Sequence, residues 1–300
     1  MKWHPLCLPC TVRTAYDIAT KATDDGEQHR LVVTETIKWL SGILNQTDLT
    51  PAYLHTYVFR LVQKITGNRD PFAKLKEESN RIALGLIPSL ESEISKRDFK
   101  DAFKLAVLGA ICGNSIDFEV EEHSVSLKDL EKSLMNCLGG DLAINDAYRL
   151  MDALARAKKV LYLADNAGEI VFDKLLIKFI TKNYPVKVVV AVKSAPILND
   201  ATMKDALQIG LNEIAEVVAT GSSSIGLNLE ECSSSFLTIL KNSDLIIAKG
   251  QGHYESLPEI IHLIQKPIVY MFKAKCPVIA KSLGVARGSN IVKFAEEHTI

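Results

Sequence analysis

The sequence has no long basic run and no apolar stretch as long as a membrane span. Its 35 Lys and Arg residues balance 36 Asp and Glu residues, which gives a formal net charge of -1. Because nucleic-acid binders carry a clustered basic surface and a spanning helix needs about 20 apolar residues, we expect neither a nucleic-acid nor a membrane partner. The polar start MKWHPLCLPC also lacks the apolar core of a signal peptide. These absences predict a cytoplasmic protein.

Cysteine is scarce, and the six cysteines are spread over the chain. They are Cys7, Cys10, Cys112, Cys137, Cys232 and Cys276. Because cytoplasmic chains keep most thiols reduced, we expect mostly free thiols rather than a disulfide framework. Cys7 and Cys10 form a CxxC pair without a second pair, whereas a closed zinc site needs four ligands. Two interpretations stay open: a second metal or redox site, or two packed thiols.

The chain divides into a helical half and a half in which strands and helices alternate. Up to about residue 150 the apolar residues recur at helical spacing, and Pro51 and Pro88 are expected to separate helices. After Lys158, short β-branched runs alternate with helical segments, as in a parallel sheet with helices on both faces. The predicted strands are VLYLAD, VKVVVAVK, AEVVAT, LIIAKG and IVYMFK. We predict an α/β fold with a mainly helical domain over residues 1–150 and an α/β metal-binding catalytic domain over residues 151–300.

Polar residues follow the predicted strands. In chain order they are Asp165, Asn166 and Glu169 after the first strand, Lys193, Asn199 and Asp200 after the second, the GSSSIG loop with Ser222 after the third, Lys249 after the fourth, and Lys273 and Lys275 after the fifth. Ligands of open α/β sheets bind at the carboxyl ends of the strands. We therefore expect these side chains to meet at one edge of the sheet.

The chemistry of this set favours a cation and a phosphate. Asp165, Asn166 and Asp200 offer the oxygen ligands that magnesium and manganese prefer, and the lysines can neutralise a phosphate. Helix starts and a Gly/Ser loop add backbone donors for an anion. The alternative interpretation is local, since Asp and Asn also cap helices and Gly/Ser loops also form plain turns. The joint placement at one edge favours a metal-assisted phosphoryl-transfer site.

Several sequence blocks resemble the damage-control phosphatase family, also called domain of unknown function 89, in its branch with an N-terminal cysteine pair. The blocks are CLPC at Cys7, GNSIDF at Gly113, LADNAGEIVFD at Leu163, KSAPILNDAT at Lys193, AKGQGHYESL at Ala248 and FKAKCPVIA at Phe272. They occur in the family's order and cover nearly the whole chain. The resemblance implies a Rossmann-like domain that carries a helical domain, and hydrolysis of phosphomonoesters with a bound divalent metal (Mg, Mn, Co or Ni).

The resemblance also implies roles for individual residues. Asp165, Asn166 and Asp200 match metal ligands, Asp165 also matches the residue proposed to act in catalysis, and Lys275 matches a lysine that contacts the substrate phosphate. Other positions fall in family blocks that line the cleft, namely Asn114, Asp117, Glu169 and Asp205. One position departs from the pattern: the GQG motif usually continues with Asn, and this chain has His253.

The leading hypothesis is a metal-dependent phosphatase acting on small metabolites such as sugar phosphates, phosphopantetheine-like compounds or damaged cofactor intermediates. Lys275, with Lys249 and Ser222, is expected to stabilise the phosphate oxygens. Either Asp165 attacks phosphorus or the metal activates a water. A nucleotide- or S-adenosylmethionine-dependent transferase is one rival, although the chain has neither a GxGxxG turn nor a P-loop. The other rival is a small-molecule binding or redox module that uses Cys7 and Cys10; a haloacid dehalogenase-type site would need an acid where Ala167 stands.

Overall fold

The computed structural model describes residues 1–113 and 127–296. Within these ranges one seven-stranded sheet has the order β1-β7-β6-β5-β2-β3-β4. Its strands are β1 (Leu142–Asn145), β2 (Lys159–Leu163), β3 (Lys187–Val192), β4 (Glu216–Ala219), β5 (Leu245–Lys249), β6 (Ile268–Lys273) and β7 (Asn290–Phe294). Strands β2 to β6 are mutually parallel, whereas β7 is antiparallel to β6 and parallel to β1. The predicted Rossmann-like α/β fold with an N-terminal helical part is confirmed.

The central strands are buried on both faces, which explains their continuous apolar sequences. Every residue of β5 is buried, as is every residue of β3 except its first. Because successive side chains of a strand point to opposite faces, Val190 and Ile247 pack into one core and Leu161 and Ile246 into another. A strand with two covered faces needs no polar alternation.

Helices cover both faces of the sheet. The α-helices of the described ranges are α1 (Cys7–Ala22), α2 (Gly26–Ile43), α3 (Pro51–Thr66), α4 (Ala73–Ser95), α5 (Phe99–Cys112), α6 (Leu127–Leu138), α7 (Ala147–Arg156), α8 (Glu169–Asn183), α9 (Met203–Gln208), α10 (Ser234–Lys241), α11 (Gly250–Ile264) and α12 (Pro277–Leu283). Helices α4 to α9 contribute to the first core and α10 to α12 to the second. None of the helices in these ranges is long and apolar enough to cross a membrane.

The prolines of the helical half separate fewer helices than the sequence suggested. Pro51 begins α3, as expected for a residue that has no N–H to donate at the first helical position. Pro88, in contrast, lies inside α4, so the expectation that it separates two helices is wrong. Leu86 and Leu90 are buried on either side of it. Tertiary packing therefore holds the helix together where local propensity would break it.

Two strands of the sheet were not predicted. β1 has only four residues, of which Leu142 alone is buried, so no apolar run marks it. β7 contains the buried Ile291 and Val292, and it follows the strand that sequence analysis took as the last. β1 comes from the segment assigned to the helical domain yet pairs with β7. The division at residue 150 stays a prediction.

The order of the strands reverses at β2. From β2 the chain adds β3 and β4 on one side, and it then returns to add β5 and β6 on the other. The crevice outside the carboxyl ends of β2 and β5 is therefore the switch point of the sheet, where open α/β folds bind ligands. The segments after β2 and β5 are DNAGE and GQGH.

One pair of cysteines is oxidised. Cys112, at the end of α5, forms a disulfide with Cys137, near the end of α6, with 5.9 Å between the Cα atoms. The expectation of free thiols is wrong for this pair, because the fold brings together two residues that are 25 positions apart. Cys7, Cys10, Cys232 and Cys276 are free thiols.

We expect removal of this disulfide to destabilise the protein, because the crosslink restricts the unfolded chain. Cys137→Ser should lower the free energy of unfolding by about 3 kcal/mol, measured by urea denaturation without reductant. Cys232→Ser is the matched control, because its thiol donates only to the Asn228 carbonyl, which a hydroxyl can also do. Equal stability of the two variants would contradict the prediction.

Candidate active site

The carboxylate of Asp165 lies against the backbone of Gly250 at the switch point. Asp165 follows β2 and Gly250 follows β5. A Cβ atom at position 250 would come within 2.1 Å of Asp165 Cγ, and Gly250 has φ +80°. Both the positive φ and the close approach require glycine. The first glycine of the GQG motif therefore makes room for the acid.

The loops after β2 and β3 are joined through their main chains. Ala201 N donates to the Asp165 carbonyl (2.7 Å) and Ala167 N donates to the Asn199 carbonyl (2.9 Å). Asn166 and Asp200 form an isolated antiparallel bridge. These contacts place Asp165, Asn166 and Asp200 side by side, as the sequence led us to expect. Their role as metal ligands stays a prediction.

Hydrogen bonds fix the orientation of the Asn166 carboxamide. Its Nδ2 donates to Asp165 Oδ2 (2.8 Å) and to Glu169 Oε2 (3.2 Å). An amide nitrogen has two hydrogens, and each has an acidic acceptor here. Glu169, predicted to bind substrate, thus contacts the proposed metal ligands directly.

Two buried lysines accompany these acids. Lys193 Nζ lies 3.6 Å from Asp200 Oδ2 and also donates to the Gly226 carbonyl. Lys249 is fully buried and donates to Glu169 Oε1 (2.6 Å), Asp173 Oδ1 (2.6 Å) and the Ala110 carbonyl (2.8 Å). An ammonium group has three hydrogens. Lys249, predicted to bind substrate phosphate, therefore directs all three at protein acceptors in this structure.

The acids repel one another. Burial, Glu169 and Asp200 raise the pKa of Asp165 well above its ordinary value. Burial also raises the pKa of Asp200 to about 6, despite the nearby Lys193. Burial disfavours the ammonium form of Lys249, but Asp173 and Glu169 outweigh this effect and raise its pKa. The lysines thus leave part of the negative charge at Asp165 and Asp200 uncompensated.

His253 is a neutral, buried imidazole beside this cluster. Burial and the charge of Lys193 lower its pKa to about 3. Its Nδ1 lies 2.6 Å from the Lys249 carbonyl, which can only accept, so Nδ1 carries the hydrogen. The residue at the position where the family usually has Asn thus holds the first turn of α11 to the end of β5.

The GSSSIG loop is bound to the helical half. Ser222 Oγ donates to Glu231 Oε2 (2.8 Å), which also pairs with Arg60 of α3 (2.7 Å). Burial acts to raise the pKa of Glu231, but the bonds from Arg60, Ser224 and Ser222 outweigh it and lower the pKa to about 2. The Ser222 hydroxyl, predicted to bind substrate, therefore holds Glu231 in this structure.

Sequence analysis missed a buried asparagine that joins the two halves. Asn80 of α4 accepts from Gly168 N (2.7 Å) and donates to Asp205 Oδ1 (3.2 Å). Asp205, predicted to line the cleft, also accepts from the backbone and hydroxyl of Thr202 at the start of α9. A polar residue on the buried face of a helix was the available signal. Asp205 thus supports the loop that carries Asp200.

The remaining predicted residues are Lys275, Asn114, Asp117 and the cysteine pair. Lys275 is exposed in the loop after β6, and its role in phosphate binding stays a prediction. Asn114 and Asp117 lie outside the described residues. Cys7 is buried and Cys10 exposed in the first turn of α1. Burial raises the pKa of both thiols, with Cys276 and Glu255 adding to the effect.

The donors at the switch point suit a hard divalent cation, though only in part. Among the described residues, no group of three or more His, Cys, Asp and Glu side chains is arranged to hold a metal. Asp165 and Asp200 supply two carboxylates and Asn166 an amide. Magnesium-type ions usually keep several waters and bind substrate phosphate as well, so three protein ligands are sufficient. Burial is the main reason why the pKa values of both acids are raised, and a bound cation would favour their ionised forms.

The fold and the site define a Rossmann-like α/β protein with an acidic, amide-lined centre at its switch point. The family model for the damage-control phosphatase ARMT1-like domain matches residues 3–291, and the chain belongs to this family. It is 36% identical over 289 residues to a damage-control phosphatase of Pyrococcus horikoshii, covering 96% of each chain. It is 34% identical over 297 residues to one of Archaeoglobus fulgidus, covering 99% and 100%.

Two further similarities extend over the whole chain. An uncharacterized protein of Methanocaldococcus jannaschii is 40% identical over 294 residues, which are 97% of this chain and 95% of that protein. The crystal structure of a DUF89 family protein from Pyrococcus horikoshii matches with a TM-score of 0.88 and 34% identity, covering 99% and 100% of the two chains. The names of the two damage-control phosphatases support a phosphatase role.

We expect Gly250→Ala to destabilise the protein beyond the cost of its φ angle, because the new methyl group displaces the Asp165 carboxylate. Gly284→Ala is the matched control, since Gly284 has φ +66° with nothing within 4 Å of an added Cβ. The control should cost about 1 kcal/mol and Gly250→Ala at least about 3 kcal/mol in urea unfolding. Similar losses in the two variants would contradict the tight contact with Asp165.

The raised pKa of Asp200 predicts a pH-dependent stability. The ordinary pKa of Asp is about 4 and the folded value is about 6, so the folded state holds the proton more tightly. The stabilisation is complete below about pH 4 and is lost as pH rises through about 6. Without metal, Asp200→Asn should therefore be about 2 kcal/mol more stable than the native protein at pH 7 and no more stable at pH 4.

Urea unfolding in chelator at several pH values measures this difference. Asp48 gives a control, because Asp48→Asn removes an exposed carboxylate from the loop between α2 and α3. The free energies of unfolding of the native protein and Asp200→Asn are compared at pH 4 and pH 7. If their difference does not grow with pH, the Asp200 carboxylate does not destabilise the fold.

Proposed function

We propose that this chain is a divalent-metal-dependent phosphatase that hydrolyses phosphomonoesters of small metabolites. The observation that carries the proposal is the cluster of Asp165, Asn166 and Asp200 at the switch point, with buried acids that the neighbouring lysines do not fully compensate. Family membership and two relatives named damage-control phosphatases support the same activity.

Asp165, Asn166 and Asp200 would hold the cation, with Mg, Mn, Co and Ni as candidates. When bound, such an ion polarises the phosphoryl group and offsets the charge that develops on its oxygens. The Asn166 amide is held in one orientation by Asp165 and Glu169. Phosphoryl transfer depends mostly on positioning and charge. The fixed orientation of the Asn166 amide would contribute to the positioning.

The protein groups divide the remaining tasks. Asp165 would either attack phosphorus or, as a ligand of the cation, support its activation of a water, and in both roles it would be ionised. Lys193 lowers the pKa of Asp165, as does Lys249, so both lysines favour the active form. Lys275, exposed after β6, would neutralise the incoming phosphate as a point charge.

The substrate would be small. Arg60 of α3 is tied to the GSSSIG loop and Asn80 of α4 to the DNAGE turn, so the helical half closes one side of the site. Sugar phosphates, phosphopantetheine-like compounds and damaged cofactor intermediates have a phosphomonoester on a compact group and suit such a cleft. Two relatives are named damage-control phosphatases, which supports a search among damaged metabolites.

The proposal is tested by phosphate release from a panel of these phosphomonoesters with Mg, Mn, Co or Ni. We expect chelator to abolish turnover, and Asp165→Asn to lower kcat by about 1,000-fold or more. Lys275→Met should mainly raise KM, since it removes a phosphate contact. Asp48→Asn, at an exposed site, should match the native enzyme.

Two results would contradict a metal-dependent phosphatase. One is turnover that persists in chelator after removal of bound metal. The other is an Asp165→Asn variant with native kcat. Calorimetric binding of a labelled nucleotide or S-adenosylmethionine without phosphate release would instead favour a transferase.

A further inference from the structure

We propose that Lys249 is a positioning residue for the metal site rather than a phosphate ligand. Its buried ammonium holds Glu169, and Glu169 fixes the carboxamide of Asn166. This inference rests on the proposed function, because it assigns Asn166 to the cation. It replaces the substrate-binding role that the sequence suggested for Lys249.

The contacts of Lys249 leave its ammonium no hydrogen for a substrate. Its three acceptors are Glu169 Oε1, Asp173 Oδ1 and the Ala110 carbonyl, at 2.6, 2.6 and 2.8 Å. The side chains of Lys249, Glu169 and Asp173 are 0%, 1% and 0% exposed. A buried ammonium with three satisfied hydrogens is fixed in place, so it can orient its partners.

The link to the metal site runs through the second oxygen of Glu169. Lys249 binds Oε1, which turns Oε2 toward Asn166 Nδ2 at 3.2 Å. The other hydrogen of that amide goes to Asp165 Oδ2 at 2.8 Å. With both hydrogens directed at acids, the amide cannot flip without placing its oxygen against two carboxylates. The chain from Lys249 to Asn166 therefore determines where the amide oxygen points.

The second branch from Lys249 gives an internal comparison. Asp173 Oδ1 accepts from Lys249 and also from the hydroxyl of Tyr162, at 2.7 Å. Tyr162 is a fully buried residue of β2, so this branch ends in the core of the sheet. Glu169 and Asp173 are four residues apart on α8 and share one lysine, and of these two acids Glu169 is the one that accepts a hydrogen bond from Asn166. If Lys249 only stabilises the fold, loss of Glu169 and loss of Asp173 should have equal effects on metal binding. If Lys249 positions Asn166, loss of Glu169 should weaken metal binding more than loss of Asp173.

The test compares the binding of Mn²⁺ alone, by calorimetry, to Glu169→Gln, Asp173→Asn and the native protein. In Glu169→Gln the new amide must present its oxygen to Lys249, so its nitrogen faces the nitrogen of Asn166 and the link is broken. We expect Mn²⁺ affinity to fall about 10- to 100-fold in this variant. Asp173→Asn keeps an acceptor for Lys249, so its affinity should stay within about threefold of native.

Lys249→Met should lose Mn²⁺ affinity because it releases Glu169, whereas the loss of its positive charge alone would raise the affinity; if this variant does not fold, the comparison of Glu169→Gln with Asp173→Asn decides alone. Urea unfolding in chelator records the structural cost of each variant separately. The inference is overturned if Glu169→Gln binds Mn²⁺ as the native protein does, or if both acid variants lose affinity equally. A native protein that binds no Mn²⁺ would defeat the proposed function itself, and that outcome is visible before any variant is made.

Discussion

The burial of several carboxylates at the switch point of the sheet is the main constraint on this fold. Asp165, Glu169 and Asp200 lie at the switch point of the sheet, and burial raises the pKa of Asp165 and Asp200. Removing such groups from water is unfavourable unless partners compensate. Lys249 and Lys193 offset part of the cost for Asp165, and Lys193 does so for Asp200. The burial of these acids therefore limits the stability of the fold around them.

The helical half completes the site. Asn80 reaches the turn after β2, Ala110 accepts from Lys249, and Arg60 pairs with the acid that holds the GSSSIG loop. These contacts come from helices α4, α5 and α3 respectively. A sheet alone would leave the acids of its switch point in water, with ordinary pKa values. The added helices bury them and supply polar partners at the same time.

Much of the fold, and the meeting of Asp165, Asn166 and Asp200 at one edge of the sheet, could be predicted from the sequence. Strands β2, β3, β5 and β6 are continuous apolar runs because nearly all their residues are buried, whereas the edge strand β4 is only partly buried. The short edge strand β1 could not be predicted, since Leu142 is its only buried residue. The Cys112–Cys137 disulfide was missed because nothing local marks a pair 25 residues apart.

Individual roles within the site were harder to predict than its location. Lys249 stands at the end of a strand, which suggested a phosphate contact, yet its partners lie on α5 and α8. Asn80 belongs to no motif that the sequence shows. Its burial and its hydrogen bond with Gly168 N reveal that it links α4 to the turn after β2. The position of a residue along the chain predicts which edge it reaches, whereas its hydrogen-bond partners depend on elements far away in sequence.

The bond between Lys249 and Ala110 also bears on how the protein opens. It joins the end of β5 to the last turns of α5, and the ammonium that makes it also neutralises two acids of α8. Separating the helices from the sheet would take buried charges away from their partners, which is strongly unfavourable. Strand β5 and helices α5 and α8 should therefore behave as one cooperative unit, whose amides exchange together and slowly. Substrate entry would then depend on local movements at the margins of the cleft, not on a hinge between two independent lobes.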